Sequence, residues 1–240
     1  MAQTSSQLTS RELIGLTWIG MQYAMRFDQF QRLLFRHTPE ADRYKLKPGS
    51  DRVSIDRTYE IIHKLHNDLG LIEKDIILHK DKMWIWLSRE GLRTAGLPFN
   101  YNGKPSSISL PHLYAINQVR LAIEEKRPDD FWKSERQIRK EAPPIIQGET
   151  RPHTPDAILT NATNGKITAI EVERSAKNEK ELENDLRELA VSYRSVWYFA
   201  TRITRRQVEA MLEDRFTLEM RKPFVFYDLG EYTHNEYKLS

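Results

Sequence analysis

The sequence predicts an α+β protein in two parts, a helical N-terminal part closed by a hairpin and a C-terminal part in which helices and strands interleave. Three observations predict it. Helical apolar spacing runs through residues 11–69 and gives way to two strand-like runs before residue 88. A Gly, Pro and Ser-rich stretch, "GLPFNYNGKPSS", then interrupts the pattern. Beyond it, amphipathic helical segments alternate with short β-branched and aromatic runs. The expected division is residues 1–98, a linker at 99–109, and residues 110–240.

Composition narrows the class. The chain has 240 residues, 39% hydrophobic and 30% charged, which describes a soluble globular protein. No apolar run reaches membrane-spanning length, and "MAQTSSQLTSREL" lacks the apolar stretch of a signal peptide, so a cytoplasmic location with no membrane partner is expected. Zero cysteines exclude disulfides, thiolate zinc sites and cysteine nucleophiles. The net charge of +3 is uneven: residues 1–99 hold 15 basic and 12 acidic side chains, the remainder 22 of each. An anionic partner is therefore expected on the N-terminal side.

Residues 11–36 read as two helices, with Leu13, Ile14, Leu16 and Ile19, then Phe27, Phe30, Leu33 and Leu34, spaced for buried stripes. "HTPEADRYKLKPGSDR" reads as a loop that delivers Arg43, Lys45, Lys47 and Arg52. "SIDRTYEIIHKLHNDLG" opens on a Ser cap and places Ile55, Tyr59, Ile62, Leu65 and Leu69 on one face before Gly70 ends it. Arg57, Lys64 and Asn67 are left outward, and His63 and His66 read as its ordinary polar face. Two strand-like runs follow in "LIEKDIILHKDKMWIWLS", around a tip that carries Lys80 and Lys82; Trp84 and Trp86 read as packing. Helix, helix, helix, hairpin is the order of a winged helix, whose third helix enters the major groove and whose hairpin tip touches phosphate. The DNA contacts expected are Arg43, Lys45, Lys47, Arg52, Arg57, Lys64, Lys80 and Lys82. The alternative is a small helical domain with an incidental hairpin.

The C-terminal order is helix (111–126), strand (130–138), two hairpin strands, helix (178–194), strand "SVWYFAT", helix (204–215) and strand "PFVFYDL". Leu182, Leu186, Leu189 and Tyr193 form a stripe suited to packing on a sheet. The hairpin, "HTPDAILTNATNGKITAIEVERSAK", places Asp156, Glu171 and Glu173 in an otherwise half-apolar stretch. A two-residue turn at Asn164-Gly165 would set Asp156 opposite Glu173, with Glu171 one same-face step away. Three acids on one half-buried face repel. A raised pKa, a nearby Lys or Arg such as Lys177, or a divalent cation would each offset that.

The order αβββαβ, with Pro155-Asp156 on its second strand and Glu171-Val172-Glu173 on its third, resembles the PD-(D/E)XK nuclease superfamily. The resemblance implies that Asp156 and Glu171 hold magnesium or manganese, with Glu173 as a third ligand or base. Glu173 stands where the superfamily has a lysine, and Lys177 is the replacement the resemblance suggests. It also places Glu135 near the first strand, as a further member of the acid cluster. The pieces "LHNDLGLIEKD", "WLSREGLRTAGLP", "HLYAINQVRLAI", "WKSERQIRKE", "HTPDAIL" and "IEVERSAK" resemble the replication-relaxation family of plasmids and mobile elements, which joins a winged helix to such a core.

Expected chemistry is thus metal-dependent DNA phosphodiester hydrolysis by Asp156, Glu171, Glu173, Lys177 and Glu135. The alternative is a non-cleaving DNA-binding replication, transfer or transcription-control factor with a degenerate core. Expected partners are DNA, other replication, transfer or transposition proteins of a mobile element, and a second copy in a homodimer. His112, Asn117 and His153 are secondary candidates. The chain lacks G-x-G-x-x-G, G-x-x-x-x-G-K-[ST], G-x-S-x-G and H-E-x-x-H, so nucleotide-loop, hydrolase-elbow and zincin chemistries lack their parts.

Overall fold

A computed structural model of the chain describes residues 7–40, 42, 49–144 and 152–233. The protein is α+β and divides into two compact units, residues 1–113 and 114–240. Among the described residues no helix is long and apolar enough to cross a membrane.

The first unit runs α1 (Ser10–Gln22), β1 (Ala24–Arg26), α2 (Phe27–Arg36), α3 (Ile55–His63), β2 (Ile72–Asp75), β3 (Trp84–Leu87) and α4 (Arg89–Thr94). The three strands form an antiparallel sheet in the order β1-β3-β2. Thr9 starts α1 through a capping box with Glu12, which satisfies two backbone N–H groups at the helix entry. The two helices expected over 11–36 are present, but β1 separates them. Its three residues are too few to show any period in the sequence.

The buried face of α3 differs from the expected one. Thr58, Ile61, Ile62 and Leu65 are buried, whereas Ile55 (60% exposed) and Tyr59 (49%) face outward. The helix continues as a π turn over Lys64–Asp68, closed by a bond from Leu69 N–H to the Lys64 carbonyl at 3.0 Å. Trp84 and Trp86 are buried and donate their indole N–H groups to Asp81 and Glu73. The segment expected as a linker packs back on this unit. Tyr101 donates to Glu73 at 2.5 Å, and Lys104 reaches Asp75 at 2.5 Å.

The second unit holds the main part of α5 (Leu110–Lys126), then β4 (Phe131–Ser134), α6 (Glu135–Glu141), β5 (Ala157–Thr160), β6 (Ile167–Glu173), α7 (Glu179–Ser192), β7 (Val196–Ala200), α8 (Arg202–Arg215), α9 (Leu218–Arg221), β8 (Phe224–Asp228) and α10 (Leu229–Thr233). Its five strands lie in sequence order, β4-β5-β6 antiparallel and β6-β7-β8 parallel. One sheet face is covered by α5 through Ala115, Ile116, Val119 and Ile123, which meet Trp132, Leu159, Ile170, Val172 and Phe199. The other is covered by α7 and α8, where Leu182, Leu186, Leu189, Val208 and Leu212 meet Ala169, Val196 and Tyr198. Alternation along each strand therefore sends Ile170 and Val172 toward α5, and Glu171 and Glu173 toward α7.

The strand expected over 130–138 ends at Ser134. There a capping box with Gln137 starts α6, so Glu135 lies in a helix's first turn.

Candidate functional site

The hairpin register differs from the expected one by two residues. Ala157 pairs with Ile170 and Thr160 with Ile167, which continues to set Asp156 opposite Glu171, not Glu173. The cause is the loop. The type I′ turn that Asn-Gly favours needs positive φ at both central residues, and of the pair only Gly165 (φ +67°) has it. Asn161 instead accepts bonds from the N–H groups of Thr163 (3.1 Å) and Asn164 (3.0 Å), and its backbone N–H reaches the Lys166 carbonyl at 2.9 Å. Asn161 also donates to Asp130 at 3.1 Å, which anchors the longer loop. Since two residues is one full strand period, the acids stay on one face.

That face carries a charge network. Asp156 accepts the Val172 N–H at 2.8 Å across the pair. Glu171 is buried (5% exposed), and its Oε1 lies 2.8 Å from His153 Nε2. His153 Nδ1 lies 3.2 Å from Asp185 Oδ1 on α7. The other Asp185 oxygen meets Lys177 Nζ at 3.0 Å, and Lys177 also meets Glu173 Oε2 at 2.9 Å. Asp185 thus links His153 and Lys177, each of which also meets a glutamate on β6.

Electrostatics follow the geometry. Burial, with Asp156 opposite, pushes the Glu171 carboxyl up to about 7 against the pull of His153 and Lys177. Burial alone would lower the His153 pKa; the hydrogen bond and charge of Glu171, and the charge of Asp185, raise it instead. Lys177 is likewise opposed by burial and raised by Glu173 and Asp185, which keeps it charged. Of the three offsets expected for clustered acids, the chain itself supplies two, a raised pKa and a paired lysine.

Local structure explains how these side chains arrive. Pro155 is buried and leads into β5, His153 is held by its backbone N–H on the Glu188 carboxylate, and β6 is paired on both sides. Gln207 of α8 donates to the Lys177 carbonyl at 2.8 Å and fixes the segment just before α7. Asn178 caps α7 by accepting the Glu181 N–H at 2.9 Å.

Asp156, just before β5, faces Glu171 on β6, and they are the pair that would hold a hard cation such as magnesium, were one bound together with waters and phosphate oxygens. Glu171 and Glu173 each already commit one oxygen, to His153 and to Lys177 respectively. Among the described residues no group of three His, Cys, Asp or Glu side chains is arranged to hold a metal ion. Glu135 adjoins the site through its backbone, its N–H reaching the Asp156 carbonyl at 2.9 Å, while its carboxylate pairs with Arg139 at 2.6 Å.

The secondary candidates separate. His153 is central, whereas Asn117 lies on α5, which covers the other side of the sheet, and His112, at the start of α5, falls in the first unit. Sequence reasoning missed Asp185 and Gln207. Asp185 had a signal, since it sits three after Leu182 and four before Leu189, on the stripe that faces the sheet.

The expected DNA contacts also separate. Arg43, Lys45 and Lys47 lie outside the described residues. Arg52 is 3.4 Å from Asp51, and Arg57 is exposed and bonded to Glu60 at 2.6 Å. Lys64 does not point freely outward. Its Nζ lies 2.8 Å from the buried Glu12 carboxylate, because that charge needs a partner where water is scarce. Lys80, in the β2–β3 connection, is exposed with φ +62°, and Lys82 lies 3.6 Å from Asp28.

No family model matches the chain, and a comparison with curated proteins finds no match.

Proposed function

We propose that the protein is a DNA-binding, metal-dependent endonuclease whose N-terminal unit is a winged helix and whose C-terminal unit is a PD-(D/E)XK core. The observation that carries the reading is the placement of Asp156, just before β5, opposite Glu171 on β6, with Glu173 one step further along the same face and Lys177 paired to it. The helix–strand order and the β4-β5-β6-β7-β8 sheet support the core, and the α1-β1-α2-α3-β2-β3 order supports the winged helix. In the first unit, Arg57, Asn67 and Lys80 are the exposed side chains that would face DNA. Other replication, transfer or transposition proteins of a mobile element would be its partners, and a homodimer would suit a two-strand cut.

Asp156 and Glu171 would hold magnesium or manganese. When bound, the ion supplies Lewis-acid polarisation of a phosphoryl oxygen. The chain's own residues do the rest. Val172 N–H fixes one Asp156 oxygen across the strand pair. Lys177, held by Asp185 and Glu173, puts a fixed positive charge beside the site, where negative charge grows on phosphate. His153 Nε2, 2.8 Å from Glu171 Oε1, would share a proton with it and so limit the negative charge of the cluster before DNA binds.

One observation favours a second reading, that of a non-cleaving DNA-binding factor: the chain's own His153 and Lys177 already meet Glu171 and Glu173. Incubation with supercoiled plasmid and magnesium or manganese decides. Nicking by the wild type that an Asp156→Ala and Glu171→Ala double variant loses supports hydrolysis. An inert wild type, or equal nicking by the double variant, overturns hydrolysis and leaves the second reading.

A further inference from the structure

The sheet face that holds the acids changes character along its strands. Asp156 and Glu171 form one cross-strand row. The next row, one same-face step away, is Lys133, Ile158 and Ala169; the one after is Phe131, Thr160 and Ile167. From Asp156 to Thr160 is four residues, about 13 Å along a strand at ~3.3 Å per residue. Over these outer rows lies a cavity of about 620 Å³, walled on one side by Tyr193 and Arg194 at the end of α7.

Its chemistry is the reverse of the acid site's. Lys133, Lys166 and Arg194 line it, and among its described lining residues none is acidic. Lys133 is shared with Glu141, whereas Lys166 and Arg194 are exposed, with side chains that have no ion-pair partner among the described residues. Between the cations lie Phe131, 56% exposed, and Ile167, 51% exposed. Large apolar side chains grouped beside unpaired cations suit a ligand with both flat apolar faces and repeated negative charge.

We propose that this groove is a track for single-stranded DNA, with unpaired bases laid on Phe131 and Tyr193 and backbone phosphates on Lys166 and Arg194. It leads one strand toward Asp156 and Glu171, and in that respect it rests on the reading of the acid site as DNA-cleaving. A duplex offers phosphates but keeps its base faces stacked inside, so aromatic contacts and cationic contacts are met together only by an unpaired strand.

Fluorescence anisotropy on the full chain, in chelator, tests the track without any cleavage. The probes are a labelled oligothymidylate and a duplex of equal length. Replacing Lys166 and Arg194 together by Ala should weaken single-strand binding about tenfold or more, and should lower the salt slope by ~1.4, at about 0.7 per phosphate contact. Phe131→Ala should cost about fivefold or more on the single strand and leave the duplex unchanged. Both sites are exposed, so equal melting temperatures certify the fold of each variant. Unchanged single-strand binding in the double variant, or equal loss on duplex in Phe131→Ala, overturns the track. Plasmid nicking reads the acid site separately: a wild type that binds the oligonucleotide as described but never nicks retains the track and loses the nuclease.

Discussion

His153 Nε2 lies 2.8 Å from Oε1 of the buried Glu171, a pair that binds protons more tightly folded than unfolded. Glu171 moves from 4.5 to about 7, so its burial costs stability progressively as pH rises from about 4.5 to about 7. His153, raised above 6.5, adds stability at low pH that is lost as pH passes its folded value. Both act in one direction. The protein should be more resistant to urea at about pH 5.5 than at about pH 8, by roughly 2 kcal/mol from Glu171 alone, whose shift spans about 1.5 pH units of that window at 1.36 kcal/mol each. Urea titrations of the wild type and Glu171→Gln check this, and the variant's profile should be flatter.

Asp185 holds Lys177 with one oxygen and His153 with the other. Asp185→Asn keeps the shape, removes the charge and turns an amide NH₂ toward one of the two cations. It should cost about 1–3 kcal/mol in denaturant unfolding, as expected when charged groups of limited exposure lose their partner. The signal of His153 in an NMR titration should move with it, to a lower pKa.

Two lysine and arginine positions that look alike in sequence should behave differently. Lys64 neutralises buried Glu12, whereas Arg57 pairs with Glu60 in solvent. Lys64→Ala should lower the melting temperature and Arg57→Ala should not, since exposed pairs contribute little. DNA affinity should fall in Arg57→Ala with little change in fold. Paired thermal melts and binding isotherms distinguish the two.

Gly91 in α4 lies against the Leu71 backbone, and an added Cβ would stand 1.9 Å from the Leu71 carbonyl oxygen. That oxygen also accepts the Ser88 N–H at 3.0 Å, so it has little freedom to move. Gly91→Ala should destabilise the first unit by at least ~1–3 kcal/mol, the usual range for overpacking. Chemical denaturation followed by tryptophan fluorescence checks it, because Trp84 and Trp86 are buried in the same sheet.

Strong periods were legible in the sequence. The Leu182, Leu186 and Leu189 stripe placed α7, and the aromatic and β-branched run "SVWYFAT" placed β7, each within two residues at either end. What a period does not encode was lost. β1 is too short to alternate, α6 is announced only by the Ser134–Gln137 capping box, and Ile55 and Tyr59 fit a helical stripe yet face solvent. The hairpin register was misread because Asn164-Gly165 is a good turn by itself, while the Asn161 side chain selects a longer one. The acids were visible from composition and alternation. The groups around them are joined only by tertiary packing: His153 meets Glu171, while Asp185 of α7 and Gln207 of α8 hold His153 and Lys177 in place.

The strand β6, bonded on one side to β5 and on the other to β7, carries Glu171 and Glu173, whereas His153 and Lys177 come from segments outside any strand. Amide hydrogen exchange should therefore sort the site into two tiers. The amides of 169–173 should exchange only through global opening, and those around 153 and 177 through local fluctuations of lower free energy. On that ordering Glu171 and Glu173 would be mounted on slowly exchanging backbone, and the groups that screen them could swing away without unfolding it.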